Sequence, residues 1–181
     1  SRGLGDVYKR QLVTGGTGSF GHTFIPMTLE KYNPKKIYIS GSSAGAHLAA
    51  MCCTKNHSQN KFNISDIAGL VLVSGIYDLE PLVTTSINKA IGMDRKTALG
   101  ASPLFGNLSG FPKTIISWGE YETNEFKEQS LIFSEALIKN DIDIRTLEIL
   151  DRNHFDIILD LGKTDEELGK NVIKMIGDES S

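Results

Sequence analysis

Ser43 lies between two glycines in the run Gly41-Ser42-Ser43-Ala44-Gly45. A strand-like segment, KIYIS, leads into it and a helix-like segment, AGAHLAAM, leads out. In such a strand-turn-helix setting the turn is tight and its flanking residues must be small, so the serine hydroxyl projects clear of the backbone. The chemistry this allows is attack on a carbonyl carbon. The backbone N–H of Ala44, at the amino end of the helix, would face the oxyanion that develops. A Ser/Gly turn that only caps a helix is the plainer alternative.

A serine hydroxyl is a poor nucleophile without a base. Of the four histidines, His22, His47, His57 and His154, only His154 follows the last predicted strand. It stands in Asp151-Arg152-Asn153-His154-Phe155-Asp156. His47 falls one turn into the helix after Ser43 and reads as a packing or supporting residue. His57 sits in a polar loop, and His22 in the leading segment. An acid that orients the base should follow an intermediate strand. Glu122, in Trp118-Gly119-Glu120-Tyr121-Glu122-Thr123, is the choice, with Glu120 as the alternative. Either carboxylate would also be favourable simply as a charge at a helix amino terminus. Asp156 is too close in sequence to His154 to orient its ring.

These residues fall at the ends of elements that alternate along the chain. Strands are expected at 12–14, 37–40, 70–73, 114–118 and 144–150. Helices are expected at 19–31, 43–54, 81–91, 123–139 and 164–176, and 92–111 reads as a long loop. Asn33-Pro34 stops the first helix, because a residue before proline avoids the α region. Phe126, Leu131, Phe133 and Leu137 recur near helical spacing. Thr164 and Glu167 have capping-box spacing. Repeated β-α alternation implies an α/β three-layer sandwich around a mostly parallel sheet of about five strands, with chemistry at the strands' carboxyl ends. Ser43, Glu122 and His154 all lie just past strand ends.

The 181 residues suit one domain. A formal net charge of -3 gives no reason to expect nucleic acid or an anionic membrane as a partner. No apolar run approaches the ~20 residues of a membrane span; the longest, around 67–73, reads as a buried strand. Cys52 and Cys53 are adjacent and offer neither a disulfide framework nor metal-ligand spacing. The expectation is a cytoplasmic protein acting on a small molecule, with no metal and no cofactor.

From about residue 33 onward the chain resembles the arylformamidase (kynurenine formamidase) branch of the α/β-hydrolases, and more broadly the hormone-sensitive-lipase-like esterases. The resemblance is carried by GSSAGAHLAAM at 41–51, LVSGIYDLEPL at 72–82, TSIN at 85–88, SPL at 102–104, GEYETNEFKEQS at 119–130 and NHFD at 153–156. It implies Ser43 as nucleophile, Glu122 as acid and His154 as base, in the chain order of that fold's triad. It implies hydrolysis of N-formylkynurenine, a similar aryl formamide or a small ester, with Tyr77 and 81–92 on the substrate side. Many relatives have aspartate where Glu122 stands. The family also carries an HGG-type loop and several strands before the nucleophile strand. No His-Gly-Gly occurs in these 181 residues, so a truncated hydrolase fold with impaired activity is expected.

The leading residues read differently. Residues 1–11 show no apolar period and look like an adaptor or cloning scar. Residues 12–36 resemble the start of nucleotide-sugar 4,6-dehydratases and epimerases of the extended short-chain dehydrogenase type. Gly15, Gly18 and Gly21 give a G-x-x-G-x-x-G turn between a strand and a helix, a setting that suits a pyrophosphate. The rest of that machinery is missing: Tyr32 to Lys36 is the one Tyr-x-x-x-Lys, it is interrupted by Pro34, and it comes too early. The turn therefore reads as a remnant, and the chain as a chimera joined near 33–36 that leads into a hydrolase unit over 37–181. Residues 12–14 are expected beside the nucleophile strand in one compact sheet. The alternatives are a nucleotide-binding dehydratase or epimerase fragment, or a chimeric fragment with no function.

Overall fold

The computed structural model describes residues 10–14, 36–54 and 64–177, the first of these as backbone only. The helix expected at 19–31, the glycine turn of Gly15, Gly18 and Gly21, and both His22 and His57 lie outside the described residues.

Among the described residues, five strands form one parallel sheet in strict sequence order. They are β1 (Arg10–Thr14), β2 (Lys36–Ser42), β3 (Ile67–Val73), β4 (Thr114–Gly119) and β5 (Ile144–Ile149). β1 pairs with β2 from Arg10 opposite Lys36 to Thr14 opposite Ser40. The neighbour expected for β2 is therefore present. It starts at Arg10, so two of the residues set aside as a scar belong to the sheet. β3 is the continuous apolar run IAGLVLV, the pattern of a strand covered on both faces.

The helices over the described residues are α1 (Ala44–Thr54), α2 (Asn88–Ile91), α3 (Arg95–Gly100), α4 (Asn124–Lys139) and α5 (Glu167–Gly177). Alternate side chains of the strands feed two cores. Leu70, Leu72, Ile116 and Trp118 pack with Ala46, Ala49, Ala50 and Cys53 of α1 and with Phe133 and Leu137 of α4. Val71, Val73 and Ile115 pack on the other face with Leu168, Val172 and Met175 of α5. This period-two division is what a strand's geometry dictates, and it makes the three layers. Among the described residues no helix is long and apolar enough to cross a membrane.

Three local expectations need correction. The segment 92–111 is not an uninterrupted loop. It contains α3, whose preceding Asp94 accepts from the Thr97 amide at 2.7 Å as an N-cap, and a 3-10 turn at Pro103–Phe105. The helix expected at 81–91 is two pieces, a 3-10 turn at Glu80–Thr84 and α2. The last helix starts at Glu167, not 164: Thr164 stands in a turn, so the apparent capping box does not cap it.

Phe133 is fully buried, stacked on Tyr77 at 4.2 Å between ring centroids and edge-on to Phe111 at 5.8 Å. Its truncation removes the ring that joins α4 to the loop after β3. Phe133→Ala is expected to destabilise the fold by about 3–5 kcal/mol. Urea unfolding followed by circular dichroism measures this, and a loss under 1 kcal/mol would contradict the packing described.

Candidate active site

The sheet's hydrogen-bond ladder continues past its carboxyl edge. The Ser43 amide donates to the Val73 carbonyl at 2.8 Å, the Ser74 amide to the Ser117 carbonyl at 2.7 Å, and the Glu120 amide to the Ile149 carbonyl at 2.9 Å. The first residue after each of β2, β3 and β4 is thus tied to the neighbouring strand, which fixes where each loop begins. Ser43 and Ser74 both adopt left-handed backbone, with φ of 54° and 50°. That conformation costs a non-glycine residue roughly 1–2 kcal/mol and persists only where its surroundings enforce it. At Ser43 the enforcement comes from Val73 on one side and from α1, whose His47 amide donates to the Ser43 carbonyl at 3.1 Å, on the other. Gly41 is required by contact: a Cβ there would stand 2.3 Å from the Gly45 carbonyl carbon.

The turn brings Ser43 Oγ within 3.1 Å of His154 Nε2, across 111 residues of sequence. His154 Nδ1 lies 3.0 Å from Glu122 Oε2. A carboxylate only accepts, so Nδ1 carries the ring proton and donates it to Glu122. Nε2 of the neutral ring is then the acceptor for the Ser43 hydroxyl. Glu122 Oε1 in turn accepts from Ser74 Oγ at 2.5 Å and from the Gly119 amide at 2.8 Å. The Glu122 side chain is fully buried, and that of His154 is 21% exposed. Phe126 of α4 packs against the imidazole at 4.3 Å between ring centroids, and Phe155 meets it edge-on at 5.4 Å. Ala44 is the first residue of α1, so its N–H is one of the first-turn donors that have no intrahelical partner.

The loops carrying Glu122 and His154 are fastened to each other. The Tyr121 amide donates to the Arg152 carbonyl at 2.8 Å, the Asp151 amide to Glu120 at 3.0 Å, and the Tyr121 hydroxyl to Asp151 at 2.8 Å. Glu120, the alternative acid, therefore serves this fastening, and Glu122 faces the histidine. Asp156 is engaged elsewhere; it accepts from the amide and side chain of Asn153 at 2.7 and 2.8 Å. Arg152 reaches the other way, donating to buried Asp160 at 2.6 Å, where Lys163 also donates at 2.8 Å. His47 Nδ1 is 2.8 Å from the Ile76 carbonyl and supports the loop after β3, as its position in sequence suggested.

Tyr77 is a correction. It does not line a substrate cleft: it is fully buried in the α1–α4 core, where its hydroxyl has no hydrogen-bond partner among the described residues. Burial, with the Glu122 charge adding to it, holds its phenol far above the ordinary tyrosine range. An aromatic residue two positions past a Ser-Gly turn gave no way to tell inward from outward. Sequence reasoning also missed Ser74, Phe126, Asp160 and Gln129. The last accepts from the Tyr77 and Asp78 amides at 2.8 and 2.7 Å and so pins the loop after β3 to α4. For Ser74 a signal existed: LVLVSG, at the end of β3 and just past it, repeats the strand-then-small-residue pattern of IYISGS around β2.

A family model described as alpha/beta hydrolase fold matches residues 24–155. Kynurenine formamidases of Danio rerio and Salmo salar are each 34% identical to the chain over 147 residues, which is 78% of this chain and 50% of theirs. The chain thus spans about half the length of the curated relatives it matches. Among solved structures, an esterase of Pyrobaculum calidifontis superimposes with a TM-score of 0.63 at 17% identity, covering 86% of this chain and 59% of that one. At that identity the likeness shows the fold alone.

Burial alone would raise the Asp160 carboxyl, but the Arg152 and Lys163 hydrogen bonds outweigh it and hold it below the usual range. A depressed carboxyl contributes stability that is complete above its unfolded pKa of about 3.9 and is lost as pH falls through the folded value. Asp160→Asn is therefore expected to be less stable than wild type at pH 7. The difference should narrow as pH drops below about 4. Thermal unfolding across pH 2–7 (a range set by ordinary carboxylate titration) measures this; a gap that widens on acidification would contradict the assignment.

Proposed function

The chain belongs to the α/β-hydrolase family, and from that premise we propose that it is a serine hydrolase of the arylformamidase and esterase type, acting on an aryl formamide such as N-formylkynurenine or on a small carboxylic ester. The observation that carries this reading is the unbroken run of hydrogen bonds from Ser43 through His154 to Glu122. Ser43 Oγ attacks the formyl or acyl carbon while His154 Nε2 takes the hydroxyl proton. Glu122 holds the ring in the required tautomer and faces the imidazolium that forms. The carbonyl oxygen becomes an oxyanion within reach of the Ala44 N–H. Collapse of the tetrahedral intermediate breaks the C–N or C–O bond, and the leaving amine or alcohol takes the proton from His154. Water, deprotonated by the same nitrogen, then attacks the acyl-enzyme and frees Ser43 and the acid.

The curated relatives supply the formamide half of this reading by name, and the half-buried Phe126 beside His154 is compatible with an aromatic leaving group. Within these 181 residues no HGG loop adds further donors to Ala44. Losing one oxyanion donor costs on the order of 10²–10³ in rate, so slow turnover is expected of the chain as it stands. We also propose, on the sequence of 12–36 alone, that this stretch is grafted from a dehydratase- or epimerase-like parent; the hydrolase family match begins inside it, at residue 24. No observation on the described residues favours nucleotide binding.

Exposure of the purified chain to a fluorophosphonate, read by intact mass, tests the nucleophile. Wild type is expected to gain one adduct and Ser43→Ala none. Glu122→Gln is expected to label at least 100-fold more slowly, since the analogous loss of charge in a triad costs about 10⁴, while Glu120→Gln stays within about tenfold. Equal labelling of wild type and Ser43→Ala would refute the proposal.

A further inference from the structure

We propose that Ser74 is a positioning residue for the proposed hydrolysis: its hydroxyl fixes the Glu122 carboxylate so that one oxygen remains for His154. This inference rests on the hydrolase reading above and adds a residue to it.

Ser74 stands at the carboxyl end of β3, between the strand that presents Ser43 and the strand that precedes Glu122. It is fully buried, and its amide is committed to the Ser117 carbonyl. Its φ of 50° is one that glycine adopts without cost. A side chain kept there at a conformational penalty must contribute something glycine cannot, and what Ser74 contributes is a hydroxyl 2.5 Å from Glu122 Oε1. The space around the turn is full: a Cβ on Gly75 would come 2.3 Å from the Tyr77 hydroxyl oxygen.

The geometry divides the carboxylate. Oε1 accepts from two donors whose backbones belong to the sheet, Ser74 after β3 and Gly119 at the end of β4. Oε2 meets His154. A glutamate side chain has one more rotatable bond than an aspartate, so a carboxylate held only by the Gly119 amide could swing about that contact. A second donor from the adjacent strand removes the swing. The anion then already faces the imidazole when the Ser43 proton arrives, without reorganisation during the step.

The test uses the purified chain, a fluorophosphonate and the variants Ser74→Ala, Ser74→Gly and Ser43→Ala. Ser74→Gly keeps the backbone conformation at no cost, so it remains folded where alanine could disturb the turn; thermal unfolding of each variant verifies this. Both Ser74 variants are expected to label about 10- to 100-fold more slowly, the value of a hydrogen bond to a charged group. The loss should fall on the limiting rate, with the half-saturating reagent concentration unchanged. A role confined to folding would leave Ser74→Gly labelling at the wild-type rate, and that result overturns the inference while the hydrolase reading stands. A wild-type chain that does not label, or that labels equally as Ser43→Ala, overturns the hydrolase reading and this inference with it.

Discussion

Each of three loops at the carboxyl edge of the sheet starts by donating its first amide to a carbonyl at or near the end of the next strand. This extension of the ladder is the constraint on which the site depends. A parallel ladder advances evenly along its strands, so loops anchored in this way begin at matched heights. The side chains that leave them, Ser43, Ser74 and Glu122, then converge. Breaking one rung would move a loop relative to its neighbour and separate groups that now lie within 3.1 Å of each other. The left-handed turns at Ser43 and Ser74 are strained in isolation and are held by these rungs together with α1.

The sheet was legible because its strands are short apolar runs bounded by turn residues, and because β-α alternation leaves few topologies open. The three principal site residues were legible for a different reason: each follows a strand, and their order along the chain suits one known arrangement. What the sequence left unread were relations between elements. Whether Tyr77 faces solvent or core depends on Phe133, more than fifty residues away, and no local pattern records that stacking. Thr164 and Glu167 have the spacing of a cap, yet the chain from Ile157 is wound as a 3-10 turn and the helix begins only at Glu167. Asp94, by contrast, is an N-cap whose signal was present, and the length of the glycine- and serine-containing segment around it obscured a six-residue helix.

His154 is carried on an irregular segment, and the irregularity is compensated by charge. Arg152 precedes His154 by two residues and is anchored outward to Asp160 and inward, through its carbonyl, to Tyr121. A Cβ on Gly119 would stand 2.4 Å from that same carbonyl oxygen, so the two loops are in backbone contact. The buried Asp160 carboxylate, satisfied by two cations, is the kind of desolvated charge that stabilises only when its partners are in place. It therefore acts as a geometric stop for the histidine loop as much as a source of stability.

The strict sequence order of the strands has a consequence for how the molecule is made. Each strand pairs with one just before or after it in the chain. Closing the sheet therefore needs only connections between consecutive strands, and β2, β3 and β4 can assemble before β5 has been synthesised. The candidate site follows a different timetable. Ser43 is placed early, with β2 and β3, but its contact with His154 spans 111 residues and waits for the loop after β5 to dock. In an emerging chain the Ser43 turn thus forms on β2 and β3 alone, well before the partner that its hydroxyl meets in the finished fold has been made.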